Sequence, residues 1–279
     1  MRPWAWLVDC HPKLRKLRRG QDGKDVVCGL EALLPEMPPA QLNRLMRAVL
    51  RQRAYTMAVT LAMSARPRVA ELVARLIPVR GMDSVEELLR SDGPLLLATF
   101  HTGPVYLFVT VVKRALAGRQ LYALHQTGGA IFDEIVRLLN ALDIVSVPNR
   151  LMATRTLIKV LKEKKRPVVT FACDYAGGSE TVTFFGRRLS AADGVQALHD
   201  ASGAEVICAV WEQKGWWPTV RFIKPSLRTE IESGATTSLT QALFDELEPV
   251  VRAAPHRWAS WETVPLRLRP PPANVPLNS

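Results

Sequence analysis

The feature that most constrains the fold is an alternation of short apolar runs with helix-length segments, which begins at Pro94. The runs over 95–100 and 167–172 are apolar almost throughout, as in strands that are buried on both faces. The predicted strands are 95–100, 120–124, 144–147, 167–172, 205–211 and 220–223, and the predicted helices are 104–116, 131–142, 153–163, 190–202 and 239–253. This alternation predicts an α/β fold with a mixed, largely parallel central sheet flanked by helices.

The residues before this alternation are predicted to be helical. Over 27–92, leucine, valine and methionine recur at three- and four-residue steps, which is the spacing of amphipathic helices. The Pro-Pro pair at 38–39 marks a predicted helix start. Ser84 and Glu87 form a capping-box pattern for a short helix over 85–91. We therefore expect a helical N-terminal region that packs against the sheet.

These patterns divide the chain into three parts. Residues 1–26 form a basic arm, residues 27–268 a single α/β domain, and residues 269–279 a proline-rich tail. Within the domain, 27–92 is the helical part and 93–268 is the part that contains the sheet. With 279 residues, 48% of them hydrophobic, the chain is long and apolar enough to bury a core of this size.

The net charge predicts an anionic partner. The 37 Lys+Arg against 26 Asp+Glu give 37 − 26 = +11. The arm concentrates this charge at Lys13, Arg15, Lys16, Arg18 and Arg19. It is interpreted either as a solvated arm or as a segment attracted to anionic lipid headgroups, with Trp4, Trp6 and Leu7 as shallow anchors. Nucleic acid is a weaker alternative, because no helix-turn-helix, RNP or zinc-finger pattern is present.

The sequence predicts neither a membrane span nor an export signal. The longest window without charges, 93–112, is interrupted by His-Thr-Gly-Pro at 101–104, which suits a strand, a turn and a helix better than a span. At the N-terminus the basic residues follow the apolar ones instead of preceding them. The four cysteines are Cys10, Cys28, Cys173 and Cys208. They form no metal or disulfide pattern, so we expect reduced thiols in the cytosol.

His101 is the first candidate for chemistry. It follows the predicted strand 95–100 and precedes a predicted helix, at the sheet edge where open α/β folds bind ligands. Histidine can act as a general base at neutral pH. The structural alternative is a strand-end histidine that is hydrogen-bonded to the backbone. The remaining histidines, predicted to lie on the surface or to be otherwise satisfied, are His11, His125, His199 and His256.

Asp174 is the second candidate, because it follows the predicted strand 167–172 and is expected to face the same edge as His101. The chain contains no GxSxG nucleophile elbow, no GxxxxGK[ST] loop and no GxGxxG loop. Cys173 is predicted to be a buried, inert thiol rather than a nucleophile. The remaining chemistry is one in which His101 deprotonates an acceptor that attacks a bound electrophile directly.

Beyond Asp174, the segment that ends at Phe185 alternates polar and apolar residues, and Gly186 allows it to turn back as a small hairpin. Arg187 and Arg188 then bring two positive charges near the loop, and arginine suits phosphate groups. The structural alternative makes Phe184 and Phe185 core anchors, with both arginines facing solvent.

Three blocks of this sequence resemble a known family. They are LLLATFHTGPVYLF, CDYAGGSETVTFFGRRLSAADGVQALHDASGAEVICAVW and LEPVVRAAPHRWASWE. Over roughly residues 27–265 the chain is similar to the bacterial lipid A late acyltransferases of the lauroyl/myristoyl type, within the glycerolipid and lysophospholipid acyltransferase superfamily. The order of the FFG block after His101 is the most specific part of the resemblance, which also includes a closing Pro-x-x-Trp segment.

The resemblance implies a His–acid dyad, in which the histidine removes the acceptor proton and an acid five positions later orients it. His101 matches the base, but Tyr106 stands where the family has Glu or Asp. A neutral phenol stabilises imidazolium less well than a carboxylate. Three interpretations stay open. Another acid replaces the missing one, with Asp174 as the first candidate; or the reaction requires only a weaker base; or the protein no longer catalyses acyl transfer.

By the same resemblance, the expected reaction moves an acyl chain from an acyl-carrier-protein or coenzyme A thioester to a hydroxyl or amine, without a metal or cofactor. Arg187 and Arg188 are expected to bind phosphate next to Phe185 and Gly186. The predicted acyl groove is lined by Val105, Leu107 and Phe108. Two alternatives are acylation of a soluble or carrier-tethered intermediate, and an inactive acyl-binding protein. The expected location is the cytoplasm, with peripheral attachment to the inner face of the cell membrane as an open alternative.

Overall fold

The predicted alternation of strands and helices is present in the computed structural model, which describes residues 22–125, 130–150, 152–174, 178–214, 217–226 and 237–268. The arm residues from Trp4 to Arg19 and the tail 269–279 lie outside the described residues. Asp22 begins the first described helix, five positions before the predicted start of the domain at residue 27.

The elements follow in the order that the sequence predicts, with the strands numbered separately from the helices. The helices are α1 Asp22–Leu33, α2 Pro39–Ser64, α3 Pro67–Leu76, α4 Glu86–Arg90, α5 Val105–Ala115, α6 Ala130–Ala141, α7 Ala153–Glu163, α8 Gly194–Ser202, α9 Leu239–Ala253 and α10 Val264–Arg267. The strands are β1 Val79–Arg80, β2 Leu95–Thr99, β3 Gln120–His125, β4 Val145–Pro148, β5 Pro167–Ala172, β6 Glu180–Phe184, β7 Arg187–Ala191, β8 Glu205–Lys214 and β9 Trp217–Ile223. Short 3-10 turns cover Met82–Ser84, Pro255–Arg257 and Ser260–Thr263.

Seven strands form the central sheet in the order β1-β9-β8-β2-β5-β3-β4. β2 lies in the middle and pairs in parallel with both β5 and β8. β3 pairs in parallel with β5 and β4, whereas β9 runs antiparallel to β8. The predicted mixed, largely parallel sheet is therefore confirmed. Its carboxyl edge is set by the ends of β2, β5 and β3, where the helical crossovers begin.

Helices cover both faces of this sheet because successive side chains of the central strand point to opposite sides. Leu96 and Ala98 of β2 belong to the cluster that also contains Trp258 and residues of α1, α7, α8 and α9. Leu95 and Leu97 belong to the cluster that contains residues of α3, α5 and α6. Alternate residues of β2 thus pack into two different apolar layers, one on each face of the sheet.

Two local predictions are wrong. The helix predicted over 190–202 begins only at Gly194, because Ser190 and Ala191 pair with β6 as the last residues of β7. The capping box also fails, since the Ser84 hydroxyl donates to the Gly81 carbonyl oxygen at 2.7 Å instead of capping α4. In both places the residue forms hydrogen bonds with a nearby backbone segment instead of those that the predicted helix start requires.

Among the residues that the structure describes, no helix is long and apolar enough to cross a bilayer.

Candidate active site

His101 and Asp174 meet because their strands are neighbours in the sheet. Thr99 of β2 is paired with Ala172 of β5. His101 follows Thr99 by two positions, and Asp174 follows Ala172 by two positions. His101 Nδ1 lies 2.7 Å from Asp174 Oδ1, and the His101 backbone N–H donates to Asp174 Oδ2 at 3.1 Å. The parallel register therefore brings together the two residues that the sequence placed at one edge.

The Asp174 carboxylate is fully buried and is bound by donors from a third segment. The indole Nε1–H of Trp258 donates to Asp174 Oδ2 at 2.8 Å, and the Ser260 hydroxyl donates to the same oxygen at 3.0 Å. Both residues lie in the closing segment after α9. A buried carboxylate with several donors is stabilised in its ionised form.

The pKa values of the pair move apart. Burial alone raises the pKa of Asp174, but the positive charge and hydrogen bonds of His101, with the Trp258 bond, outweigh it and lower this pKa to about 2. Burial alone lowers the pKa of His101, but the charge and hydrogen bond of Asp174, with the charge of Glu262, outweigh it and the pKa is raised. Asp174 is thus ionised at neutral pH, and imidazolium is stabilised beside it.

The peptide that carries His101 is fixed from both sides. Its carbonyl oxygen accepts a hydrogen bond from the Ala259 N–H at 2.9 Å, next to Trp258. On the other side of the turn, a side chain at Gly103 would place its Cβ 2.4 Å from the ring of Trp211. This glycine is therefore required by a close approach, and the imidazole direction is set by the backbone as well as by Asp174.

Tyr106 points away from this pair. It is fully buried in the apolar layer that also contains Ala70 and Ala74 of α3, and its hydroxyl has no hydrogen-bond partner among the described residues. Burial and then the charge of Glu71, which also lies on α3, raise the pKa of Tyr106. The structure thus brings Asp174, and not Tyr106, to the imidazole.

An apolar cavity of about 150 Å³ opens beside His101. Its α5 wall is formed by Val105, Phe108, Val109 and Val112, at positions i, i+3, i+4 and i+7 of one helix face. Val105 and Phe108 therefore lie where the sequence predicted an acyl groove. Leu107, predicted with them, is buried in the apolar layer and does not border the cavity.

The cavity extends from the sheet edge into the layer between sheet and helices. His125, at the end of β3, borders it, and Leu121 borders it four residues earlier in the same strand. At a rise of about 3.3 Å per residue these two positions are about 13 Å apart. Leu139 of α6 lies on the same lining. The pocket is therefore apolar along β3 and α5, and His101 and His125 line it where their strands end.

The predicted hairpin forms, but it lies behind the pair instead of beside the cavity. Phe185 and Gly186, with φ of 52° and 70°, are the turn between β6 and β7, and such a turn is typical of tight hairpins. The Phe185 N–H donates to Glu248 Oε2 at 2.7 Å. Arg187 and Arg188 are both exposed, and neither borders the cavity.

The hairpin is nevertheless connected to Asp174 through aromatic packing. The rings of Phe184 and Trp258 are 5.4 Å apart, and Trp258 binds the carboxylate. Phe185 packs against Trp261 at 6.3 Å and lies under the Arg252 guanidinium at 4.2 Å. Phe184 and Phe185 thus anchor the hairpin, as the structural alternative predicts, while both arginines face solvent.

The thiol of Cys173 is inert, because complete burial and the charge of Asp174 raise its pKa far above the usual range. No cluster of metal-ligating side chains occurs among the described residues. Cys28, Cys173 and Cys208 are free thiols there.

Sequence reasoning did not assign a role to Trp258, Ser260 or Arg267. The Pro-x-x-Trp segment was the available signal for Trp258, but its partner could not be read from the sequence. Arg267 is 1% exposed, and its Nε donates to the Ser190 carbonyl oxygen at 2.9 Å. Burial lowers its pKa to about 10. It is a buried cation behind the hairpin, and the opposite charge of Asp174 stabilises it.

Comparison with known proteins identifies a family. A family model described as "Bacterial lipid A biosynthesis acyltransferase" matches residues 13–261, a span that includes His101, Asp174 and Trp258. A search of curated proteins gave no match. The matched span covers most of the 279 residues and confirms the resemblance found in the sequence.

Proposed function

The chain belongs to the bacterial lipid A biosynthesis acyltransferase family, and on that premise we propose that it transfers an acyl chain from a thioester donor to a hydroxyl or amine acceptor, with His101 as the general base. Acyl transfer follows from the family. One observation carries the assignment to specific residues: His101, which is paired with Asp174, lines an apolar cavity between the sheet and α5. The donor is an acyl-carrier-protein or coenzyme A thioester.

His101 supplies the proton acceptor of the first step. Its Nδ1–H is donated to Asp174, which makes Nε2 the nitrogen that takes up the acceptor proton. The acceptor oxygen or nitrogen attacks the thioester carbonyl, and a C–O or C–N bond forms. The C–S bond then breaks, and the leaving thiolate receives the proton from imidazolium. No covalent acyl-enzyme is required, in accord with the inert Cys173 thiol.

Asp174 replaces the acid that the family has five positions after the histidine. It is ionised, its distance to Nδ1 is 2.7 Å, and two side-chain donors fix its other oxygen. It can therefore hold the imidazole tautomer and stabilise imidazolium in the transition state. This supports the first of the three interpretations of Tyr106 over the weaker-base and inactive alternatives. A buried ionised carboxylate costs free energy that an inactive binding groove would not need.

The first turn of α5 is proposed to stabilise the developing oxyanion. α5 begins at Val105 directly after the His101 turn, and the first N–H groups of a helix have no intrahelical partner. The helix dipole adds partial positive charge at the same point. A thioester carbonyl held between His101 and this turn would place its acyl chain along the Val105, Phe108 and Val112 face.

The hairpin contributes a positively charged surface instead of a wall of the cavity. Phe185 and Gly186 shape the turn after which Arg187 and Arg188 project into solvent. We assign to these arginines the phosphate of the carrier arm or of the acceptor, because guanidinium groups bind phosphate with two hydrogen bonds. Their exposure suits the recognition of a large carrier.

The test is acyl transfer measured by mass spectrometry with acyl-carrier-protein and coenzyme A thioesters and a panel of lipid and soluble acceptors. His101→Ala is expected to lower transfer by roughly 10²–10⁴-fold, the usual contribution of a general base. His199→Ala is the matched control, since His199 Nδ1 bonds to the Ala204 carbonyl oxygen at 2.8 Å and His199 does not line the cavity. Undiminished transfer by His101→Ala would refute the assignment.

A further inference from the structure

Four large apolar side chains are exposed together at one side of the molecule. Val69, Leu72 and Leu76 of α3 are 41%, 60% and 64% exposed, and Trp217 at the start of β9 is 50% exposed. The Trp217 indole N–H donates to the Leu76 carbonyl oxygen at 3.0 Å, so the ring lies at the end of α3. We call these four residues the α3–Trp217 face.

This face is not needed for the core. α3 packs onto the protein through Ala70 and Ala74, which are 0% and 1% exposed. On a helix, Val69, Leu72 and Leu76 share a stripe that points away from those alanines. An exposed apolar stripe on a helix with small inward residues indicates a surface that is covered by something else.

The charges around the face are positive. Arg66, Arg68, Arg75 and Arg80 are exposed and lie on α3 or within four residues of it, and Glu71 is the one acid of α3. The chain between residues 37 and 70 holds six arginines and no acidic residue. An apolar stripe flanked by arginines is the arrangement of helices that lie in the interface of an anionic bilayer.

The face lies on the active-site side of the sheet. Ala209 of β8 is level with Thr99 of β2, and β8 continues to Lys214, which pairs with Trp217. Trp217 is therefore beyond the carboxyl edge at which His101 stands. α3 also contacts α5, the helix that lines the cavity. A partner on this face would lie on the His101 side of the sheet and next to the helix that lines the cavity.

We propose that the α3–Trp217 face docks on an anionic phospholipid surface, with Val69, Leu72, Leu76 and Trp217 inserted at the level of the headgroups and the surrounding arginines on lipid phosphates. The docking orients the carboxyl edge of the sheet toward the lipid. Arginine carries this role well, because its planar guanidinium binds phosphate bidentately and is weakly hydrated. The inference is independent of the proposed reaction, since it concerns binding alone.

The experiment measures co-sedimentation of the full chain with phosphatidylcholine vesicles, with or without phosphatidylglycerol. Binding is expected only with phosphatidylglycerol and should weaken as salt rises. The Leu72→Gln/Leu76→Gln double variant should bind at least about tenfold more weakly. Arg68→Gln/Arg75→Gln should lose the preference for phosphatidylglycerol.

Leu266→Gln is the matched control, because Leu266 is 57% exposed on α10, which contacts α1 and β7 instead of α3. Unfolding midpoints of all variants should match the wild type, since exposed positions are changed. Equal vesicle binding by the leucine double variant and the wild type would overturn the proposal. It would also be overturned if that variant kept vesicle binding and lost only binding to an acyl carrier protein, which would make the face a protein-docking surface.

Discussion

Asp174 and Tyr106 both have fully buried polar side chains, and both were candidates for the partner of His101, yet their surroundings are opposite. The Asp174 carboxylate accepts hydrogen bonds from His101, Trp258 and Ser260, whereas the Tyr106 hydroxyl has no partner in the part of the chain that the structure describes. Asp174 is bound by Trp258, which belongs to the apolar layer with α9. Tyr106 lies in the other layer, with α3. Burial alone therefore does not distinguish the acid that we propose to be functional from Tyr106; the hydrogen-bond donors aimed at Asp174 do.

The largest effect is expected for Asp174→Asn, which removes the negative charge beside His101. The Asn oxygen can keep the donors of Trp258 and Ser260, but its amide would then donate toward Nδ1 and force the proton onto Nε2. We expect transfer to fall on the order of 10³–10⁴-fold with the fold retained. Steady-state kinetics with circular dichroism measure this. Activity within tenfold of the wild type would show that another group orients His101.

The reciprocal change, Tyr106→Glu, restores the residue type that the family has at this position. Because Tyr106 lies in an apolar layer, we expect the carboxylate to lack partners and the free energy of unfolding to fall by about 3–5 kcal/mol. Transfer should not rise. Urea unfolding at neutral pH gives the stability. A stable and more active variant would place the missing acid at Tyr106 after all.

The face of α5 that lines the cavity is proposed to contact the acyl chain, and this can be tested separately from the face that carries Tyr106. Val112→Phe adds volume to the pocket that Leu121 and Leu139 also line, so the preferred acyl chain should become shorter, with the ratio of kcat/KM for long and short donors changed by about 10–200-fold. Val112→Ala should move the preference toward longer chains. Identical chain-length profiles in both variants would mean that the acyl chain lies elsewhere.

The pH profile measures the electrostatics of the pair. The raised pKa of His101 means that imidazolium persists above pH 6.5, so kcat/KM should reach its plateau only at higher pH. Glu262→Gln removes one of the charges that raise this pKa and should move the acid limb to lower pH by a fraction of a unit. Glu163→Gln is the control, since Glu163 lies on α7 beside Lys159. A limb that stays at 6.5 or below would contradict the assignment of His101.

The same shift predicts a pH dependence of stability. A raised folded pKa contributes stability that is present below the unfolded pKa of about 6.5 and is lost as pH rises through the folded value. For Asp174 the lowered pKa contributes stability above the unfolded value near 3.8, which is lost as pH falls toward 2. Urea midpoints of the wild type and Asp174→Asn at several pH values should diverge least at the acid end.

The smallest expected effect is that of Tyr106→Phe. It removes a buried hydroxyl that forms no hydrogen bond with the residues described, so stability should stay within about 1 kcal/mol of the wild type or rise slightly. Transfer should be unchanged. Thermal unfolding and steady-state kinetics measure both. A large loss of activity would give the phenol a role that its position does not explain.

The sequence predicted most of the fold, because each element has its own local signal. The helices Ala153–Glu163 and Leu239–Ala253 and the strand Pro167–Ala172 begin and end where the patterns predicted. The error at Ser190 arose where an apolar-polar segment suits either a hairpin arm or a helix start, and only pairing with Thr181 decided it. Trp258 could be noticed as part of a motif, but its hydrogen bond to Asp174 spans 84 positions of the chain.

The sequence by itself determined that His101 and Asp174 follow buried strands, since strand ends can be read from local hydrophobicity. Only the tertiary structure decided which acid meets the imidazole. That depends on β2 lying next to β5 with Thr99 level with Ala172, and strand order is set by the packing of the whole sheet. Tyr106 turns away because α5 begins at Val105, and the 3.6-residue period gives the cavity face to Val105, Phe108 and Val112 instead.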